Sequence, residues 1–454
     1  MTLSRSLPQK TTLFLALLSF CVIFIFFSFI SLNRFIAVDE GFYLLAGKLV
    51  ASGLTPYIDF FYPQMPLLPY LHAIWISIFG TSWTFARCLC SLLATIVALL
   101  LGRSIYKRSN SFSYAAIGII LFCCNGLIIG WFTAAKTYVF AAVPLFISYL
   151  LVESGKRNFL ALFRAGFLLG TATNIRLFYL ALIPLFFLFA VFKFKLTIKQ
   201  LTFCLIGGTV ALSPNLIFLL YDKDTYLFNN FGYHAIRSFR SLATEQSSWW
   251  NVLSILSGFK LSDRLELLQF PILIWSNIFL FCYYILLKRE AISFASSIGL
   301  TLSAIYLLPS PIHIQYYSTT IPFLVIGLIE GCLNLSSTTN SKNHPFFIRY
   351  LPVSILFILL ILTLYQTPFA IKRFTQTGEG VKGIDSSTKE TLTLQSINEI
   401  SEVIDSTFSK NDTVISQWPG FLFTSSLKQI SGMENQFWSV LMGNYPINST
   451  KNTK

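Results

Sequence analysis

Residues Ala37–Tyr70 read AVDEGFYLLAGKLVASGLTPYIDFFYPQMPLLPY and follow directly on the first long apolar run of the chain. Two adjacent acids, Asp39 and Glu40, stand where that run ends. A third, Asp59, precedes an aromatic stretch spaced by prolines. The apolar run, about residues 11–32, is long enough to cross a bilayer as one helix. It is longer than the apolar region of a secretory signal peptide and lacks a small-residue cleavage site, so it reads as an uncleaved first span. The quoted stretch is then the first loop outside the membrane. Within it Phe42, Leu45, Ala46 and Leu49 recur at helical spacing, with Asp39 at the N-cap position and Gly53 at the stop. This helix is too short to span and is expected to lie along the membrane surface. The apolar stretch 66–80 is expected to form a second interfacial or partly inserted helix.

Composition extends this reading to the whole chain. Of 454 residues, 54% are hydrophobic and only 11% charged, and mean hydropathy is +0.66. A soluble chain is about a quarter charged, so an all-α polytopic membrane protein is expected. The 46 Phe suit lipid-facing helices and would also suit a pocket for an isoprenoid chain. The net charge of +14 lies mostly in short loops between apolar spans, which points to membrane topology and not to nucleic acid. None of the eight cysteines forms a CxxC pair or a Cys/His cluster; they read as buried small hydrophobes.

About eleven spans are expected, near 11–32, 84–102, 114–131, 137–152, 160–173, 176–192, 200–221, 271–287, 292–308, 316–334 and 349–367. The segments 160–173 and 176–192 form either a tight hairpin or one broken helix. With the N-terminus in the cytoplasm, every short inside loop is basic: Arg103/Lys107/Arg108, Lys156/Arg157, Lys193/Lys195/Lys199, Lys288/Arg289 and Lys342/Arg349. Most acids then fall outside, in loops 33–83 and 222–270 and in the polar tail 368–454. The expected division is a transmembrane body, 1–367, and a small extracytoplasmic tail, 368–454. Asn334, Asn411 and Asn448 each open an N-x-[ST] sequon, a weak signal. The tail stretch NDTVISQWPGFLFTSS reads as a short strand and a turn.

Helix capping would account for Asp39, at about 1 kcal/mol. It accounts poorly for Glu40 beside it, since adjacent carboxylates at an interface repel. Such clusters occur at sites of function, and both readings of Asp39 stand on the residues alone.

The first outer loop resembles that of the GT-C glycosyltransferases, which include the dolichyl-phosphate-mannose–protein mannosyltransferases, the aminoarabinose lipid A transferases and the RgtA/B/C/D-like bacterial members. The residues that carry the likeness are Asp39-Glu40, Pro63 and Pro66-Leu67, Phe79-Gly80 and Arg87. In order along the chain, 166–188 with Arg176, 313–327 with His313 and Tyr316, and 412–432 resemble later parts of that family. The resemblance implies the GT-C fold. It also implies transfer of a sugar from a polyprenyl-phosphate-sugar donor to a lipid, glycan or protein acceptor on the outer face, usually with inversion. No cofactor is implied beyond the donor substrate itself. By resemblance Asp39, paired with Glu40, is the catalytic carboxylate.

That chemistry needs cations on the same side to meet the phosphate. Lys136, Arg176 and His313 with Tyr316 are expected there as substrate contacts. Arg176 reads equally as a residue snorkelling to lipid headgroups, and Arg237 and Arg240 read as solvated loop residues. Asp59 is expected to hold sugar hydroxyls or to orient the Asp39 helix; otherwise it caps a turn. No metal is expected, because Asp222-Lys223-Asp224, the nearest DxD, reads as the end of a span. The absence of a MIR-type domain favours a bacterial inner-membrane enzyme. The alternatives are a flippase of lipid-linked sugars, which would place charges near the bilayer midplane, and an O-antigen-type polymerase or ligase, which Arg237 and Arg240 keep open.

Overall fold

A computed structural model describes residues 9–243, 249–257, 264–287, 292–309, 312–339, 346–377, 392–409, 412–416, 418–430 and 432–435. The basic-loop residues Lys288, Arg289 and Lys342 and the sequon residues Asn411 and Asn448 lie outside the described residues.

The described residues form nineteen α-helices. In chain order they are α1 (Gln9–Asn33), α2 (Glu40–Ala51), α3 (Leu67–Phe79), α4 (Trp83–Ser109), α5 (Phe112–Cys123), α6 (Gly126–Trp131), α7 (Thr137–Glu153) and α8 (Phe159–Thr173). Then come α9 (Ile183–Phe192), α10 (Ile198–Leu212), α11 (Asn215–Tyr221), α12 (Lys223–Leu227), α13 (Tyr233–Ala243), α14 (Trp249–Leu256), α15 (Gln269–Leu287), α16 (Phe294–Ile305), α17 (Ile321–Thr339), α18 (Phe346–Lys372) and α19 (Leu394–Thr407). Among the described residues the only ladder is a parallel pair in the tail, β1 (Thr413–Val414) with β2 (Lys428–Gln429). The chain is an all-α integral membrane protein, and the tail has the short strand and turn its sequence suggests.

Two expected spans are broken. Residues 114–131 divide into α5 and α6 at Asn125, whose side chain accepts the Leu127 N–H at 2.9 Å and restarts the helix. Residues 200–221 bend by 52° between α10 and α11, where Pro214 has no N–H for the helical ladder. The expected spans 176–192 and 316–334 each begin as a 3-10 turn, Leu177–Leu182 ahead of α9 and Ile314–Thr319 ahead of α17. Segments 160–173 and 176–192 form the hairpin. Arg157, just ahead of α8, donates to the Phe194 carbonyl just beyond α9 at 3.0 Å, so the two ends meet.

Helices α7, α8 and α10 pack side by side, as do α1 with α4 and α4 with α5. The α8–α10 crossing is close because it is made by glycines. A Cβ on Gly166 would lie 1.8 Å from the Cys204 carbonyl oxygen, and one on Gly207 would lie 2.0 Å from that of Phe163. Small residues let helix backbones approach in a membrane, where the lipid supplies no hydrophobic drive. Arg108 at the end of α4 pairs with Glu153 at the end of α7 and with Glu330 in α17. This network gathers one set of helix ends. Asp39, Lys136, Arg176 and His313 each stand at the opposite end of a helix, so the up-and-down course of the chain brings them to one side.

The tail closes over that side. Backbone Ile36 N–H donates to Leu392 at 2.9 Å. Lys48 in α2 donates to the Leu422 carbonyl at 2.8 Å, and the Trp418 indole N–H donates to the Val38 carbonyl at 2.7 Å. A Cβ on Gly41 would lie 2.6 Å from the Gly420 nitrogen and 2.7 Å from its Cα, so α2 and the tail touch backbone to backbone. Gly41→Val is therefore expected to lift the tail from α2, at an overpacking cost of about 1–3 kcal/mol. Limited proteolysis in proteoliposomes checks this, the variant being cut in the tail faster than the wild type.

Candidate active site

The site is built by two neighbouring pairs of residues. Asp39 and Glu40 lie at the start of α2, and Ala135 and Lys136 lie in the turn before α7. The Glu40 carboxylate accepts the Ala135 N–H at 2.8 Å, which holds that turn against α2. The next residue along each segment then meets its counterpart: Lys136 Nζ lies 2.6 Å from an Asp39 oxygen.

Glu40 itself is closed to substrate. It is fully buried. Arg87 reaches it through two nitrogens, Nε at 3.2 Å and NH2 at 2.8 Å, and the Ala37 N–H adds a bond at 2.7 Å. Burial raises the Glu40 carboxyl's pKa, but Arg87, Arg34 and the Ala135 N–H outweigh it and hold the group ionised. Arg87 also donates to the carbonyls of Ser31 and Arg34, each at 2.8 Å, capping the end of α1. The expectation of Glu40 as half of a catalytic pair is corrected by this geometry. Its lone pairs are filled by four protein donors, and its place is beneath the site.

Asp39 differs on each count. It stands at the N-cap of α2 but accepts no capping hydrogen bond, so capping does not explain it. Its side chain is 25% exposed, against 4% for Lys136. Burial raises its pKa, and Lys136, then Arg237 and His313, lower it further than burial lifts it, leaving the carboxyl below its ordinary value. The sign follows: the pair's stabilisation is fully present above about pH 4 and is lost only as pH falls through the depressed value.

Around this pair the structure gathers the other expected residues. Lys136 also donates to Gln315 at 3.0 Å and lies over the rings of Trp131 and Tyr138, 4.9 and 5.5 Å from their centroids. Arg176 is buried among Tyr138, Tyr316 and Phe178, at 4.6, 5.1 and 5.9 Å. It donates to the Thr137 hydroxyl at 2.7 Å. Its Nε has no partner, and no carboxylate pairs with it among the described residues. A guanidinium this buried is not snorkelling to headgroups, which corrects that reading. His313 faces the Arg237 guanidinium at 3.2 Å and packs edge-on to Tyr316. Burial and then Arg237 push its pKa down to about 4, with Asp39 pulling the other way, so it is neutral at pH 7.

Asp59 is not brought into this group. It is exposed, and its carboxylate accepts the Thr55 N–H at 2.7 Å, closing the 55–59 turn. That is the capping alternative. Asp222 likewise caps Thr225, and among the described residues no cluster of three His, Cys, Asp or Glu side chains could hold a metal ion. Sequence reasoning left out Gln315, Thr137, Trp131 and Tyr138. Their signal was present, since Trp131, Thr137 and Tyr138 surround Lys136 in the chain and Gln315 lies between His313 and Tyr316.

No family model matches the chain, and no curated protein matches it. Solved structures do. ArnT from Cupriavidus metallidurans, bound to undecaprenyl phosphate, superposes with a TM-score of 0.61 at 13% identity over 96% of this chain and 88% of that one. The apo state of the same protein gives 0.61 at 11% identity over the same shares. The chain has the GT-C fold. The likeness spans nearly the whole chain, and at this identity it is a likeness of fold. The Asp39–Lys136 pair joins the loop just beyond α1 to the turn before α7.

Proposed function

We propose that the protein transfers a sugar from a polyprenyl-phosphate-sugar donor to an acceptor hydroxyl, probing the outer face of a bacterial inner membrane with its N-terminus in the cytoplasm. The observation that carries this reading is the Asp39–Lys136 pair at 2.6 Å, beside the buried guanidinium of Arg176. A carboxylate is next to cations that suit a phosphate. ArnT, bound to undecaprenyl phosphate, supports a polyprenyl phosphate as the carrier.

In this mechanism the acceptor oxygen attacks the anomeric carbon, and the bond from that carbon to the phosphate oxygen breaks. The bonding pair leaves with polyprenyl phosphate, and Asp39 takes the acceptor's proton as general base. Attack opposite the leaving phosphate inverts the anomeric centre. Lys136, Arg176 and Arg237 meet the charge that grows on the departing phosphate. Asp39 in the free protein is a weak base because Lys136 is its partner. A bound phosphate competes for Lys136 and raises the Asp39 pKa toward a more useful value. The pH profiles separate these two states. Expected is a kcat/KM without an acid inflection from pH 8 down to about 5, and a kcat whose acid limb lies at higher pH than that of kcat/KM. Coincident acid limbs in an initial-rate series would show that the donor leaves Asp39 untouched.

Deletion tests the function. Glycan and glycolipid mass spectrometry of deleted and complemented cells should show one sugar lost from an envelope product while its polyprenyl-phosphate donor accumulates. The purified protein should release polyprenyl phosphate when given donor and acceptor. A flippase would move the donor between leaflets without consuming it.

A further inference from the structure

The two buried cations of the site are held in different ways. Lys136 is fixed through its own side chain, on Asp39 and Gln315. The Arg176 guanidinium has five N–H donors. It donates to the Thr137 hydroxyl, and its Nε has no partner. The rings of Tyr138, Tyr316 and Phe178 attract the charge without fixing the direction of its N–H groups. The place of this guanidinium therefore depends on the backbone turn that carries it, residues 174–176.

That turn is anchored from behind, on the break between α10 and α11. Across the break at Pro214 the carbonyls of Val210, Ala211 and Leu212 accept from side chains. The Ser213 hydroxyl donates to Val210 and the Asn215 amide to Leu212, each at 2.9 Å. The middle carbonyl, Ala211, accepts from the amide of Asn174 at 3.2 Å, a residue 37 positions earlier that caps the end of α8. Asn215 also donates to the Asn174 side-chain oxygen at 3.0 Å, and the Tyr226 hydroxyl donates to that of Asn215 at 3.1 Å. The Asn174 carbonyl accepts the Leu67 N–H, at the start of α3, at 3.2 Å. Asn174, Asn215 and Tyr226 are all buried. No water replaces a lost partner inside a membrane, so each missing bond either moves the backbone or strands a polar group. Arg176 lies two residues beyond Asn174 and moves with it.

We infer that Asn174 and Asn215 are positioning residues, which use the break at Pro214 to set where the Arg176 guanidinium meets the donor phosphate. The inference rests on the reading of Arg176 as a phosphate contact in a glycosyl-transfer site. Neither asparagine touches the donor; both act through the turn 174–176.

The test is a double-mutant cycle on the full chain in lipid nanodiscs, read as affinity for a fluorescent undecaprenyl phosphate. Arg176→Met removes the charge, keeps the length and strands no carboxylate among the described residues. It should weaken binding about tenfold or more, the scale of a lost charge-assisted hydrogen bond. Asn174→Ser leaves a hydroxyl too short for the Ala211 carbonyl. That hydroxyl can bond back to Gly170, as those of Thr171 and Thr173 do to Phe167 and Leu169, so the helix keeps its end. Asn174→Ser should weaken binding about three- to tenfold, and by less than about twofold when Arg176→Met is already present. A role in packing alone would give the same loss in both backgrounds. Tyr226→Phe removes one hydroxyl from the network and should show a smaller loss with the same dependence on Arg176. If Arg176→Met weakens binding but Asn174→Ser binds like the wild type, or loses as much without Arg176 as with it, the inference is overturned and the transferase reading stands. If Asn174→Ser is not recovered folded, Tyr226→Phe decides on the same terms. If the wild type does not bind the probe, or Arg176→Met binds it equally well, the reading of Arg176 as a phosphate contact falls and this inference with it.

Discussion

Asp39→Asn is expected to remove transfer almost completely while the protein still reaches the membrane. The loss should be about 10²–10⁴-fold, the range for a general base. Two observations separate this effect from misfolding. Asp39 makes no capping bond to α2, so the helix keeps its start. Asn also retains an acceptor for the Lys136 ammonium, which stays bonded to Gln315. Some stability is lost with the charge, and a thermal melt in detergent records how much. The decisive measurement is the rate of polyprenyl phosphate release by variant and wild type at equal amounts of folded protein. Equal rates would leave the carboxylate without a role in the chemistry and would return it to structure.

Glu40→Ala is expected to do the reverse and lose the folded protein itself. The carboxylate is fully buried, and its removal strands a fully buried Arg87 side chain. It also orphans the N–H groups of Ala37 and Ala135. Removing one partner of a buried ion pair costs about 3–5 kcal/mol, a large part of the stability of a typical domain. The expected result is low yield and a melting temperature well below that of the wild type. Glu40→Gln, which keeps two acceptor lone pairs and the shape, should fall between. A Glu40→Ala protein that melts like the wild type yet fails in transfer would put Glu40 back among the reacting groups. The contrast matters because the two acids are adjacent in sequence, and their expected phenotypes differ in kind.

Much of the architecture was legible along the chain. The low charge content and the long apolar runs decide that the chain lives in a bilayer, because there every backbone polar group must be satisfied within a helix. Helical spacing after Asp39 located α2, and the alternation of basic and acidic loops put Asp39, Lys136, Arg176 and His313 on one side. Local chemistry also marked its own breaks: Pro214 bends one span and Asn125 interrupts another, although hydropathy alone reads through both.

The roles of Asp39 and Glu40 were decided only by the tertiary structure. Nothing local distinguishes two consecutive carboxylates. Arg87 is 47 residues from Glu40 and the Ala135 N–H is 95 residues away, so only the packing of α1, α4 and the turn before α7 closes one acid and leaves the other open. Arg176 is the same case, since its surroundings of Tyr138 and Tyr316 come from two other segments. Asp59 shows the converse: its partner Thr55 is four residues away, and short-range geometry was enough. Sequence determines what short range can settle, namely span, cap and turn. Which charge meets which depends on contacts between distant segments, and only the folded chain supplies them.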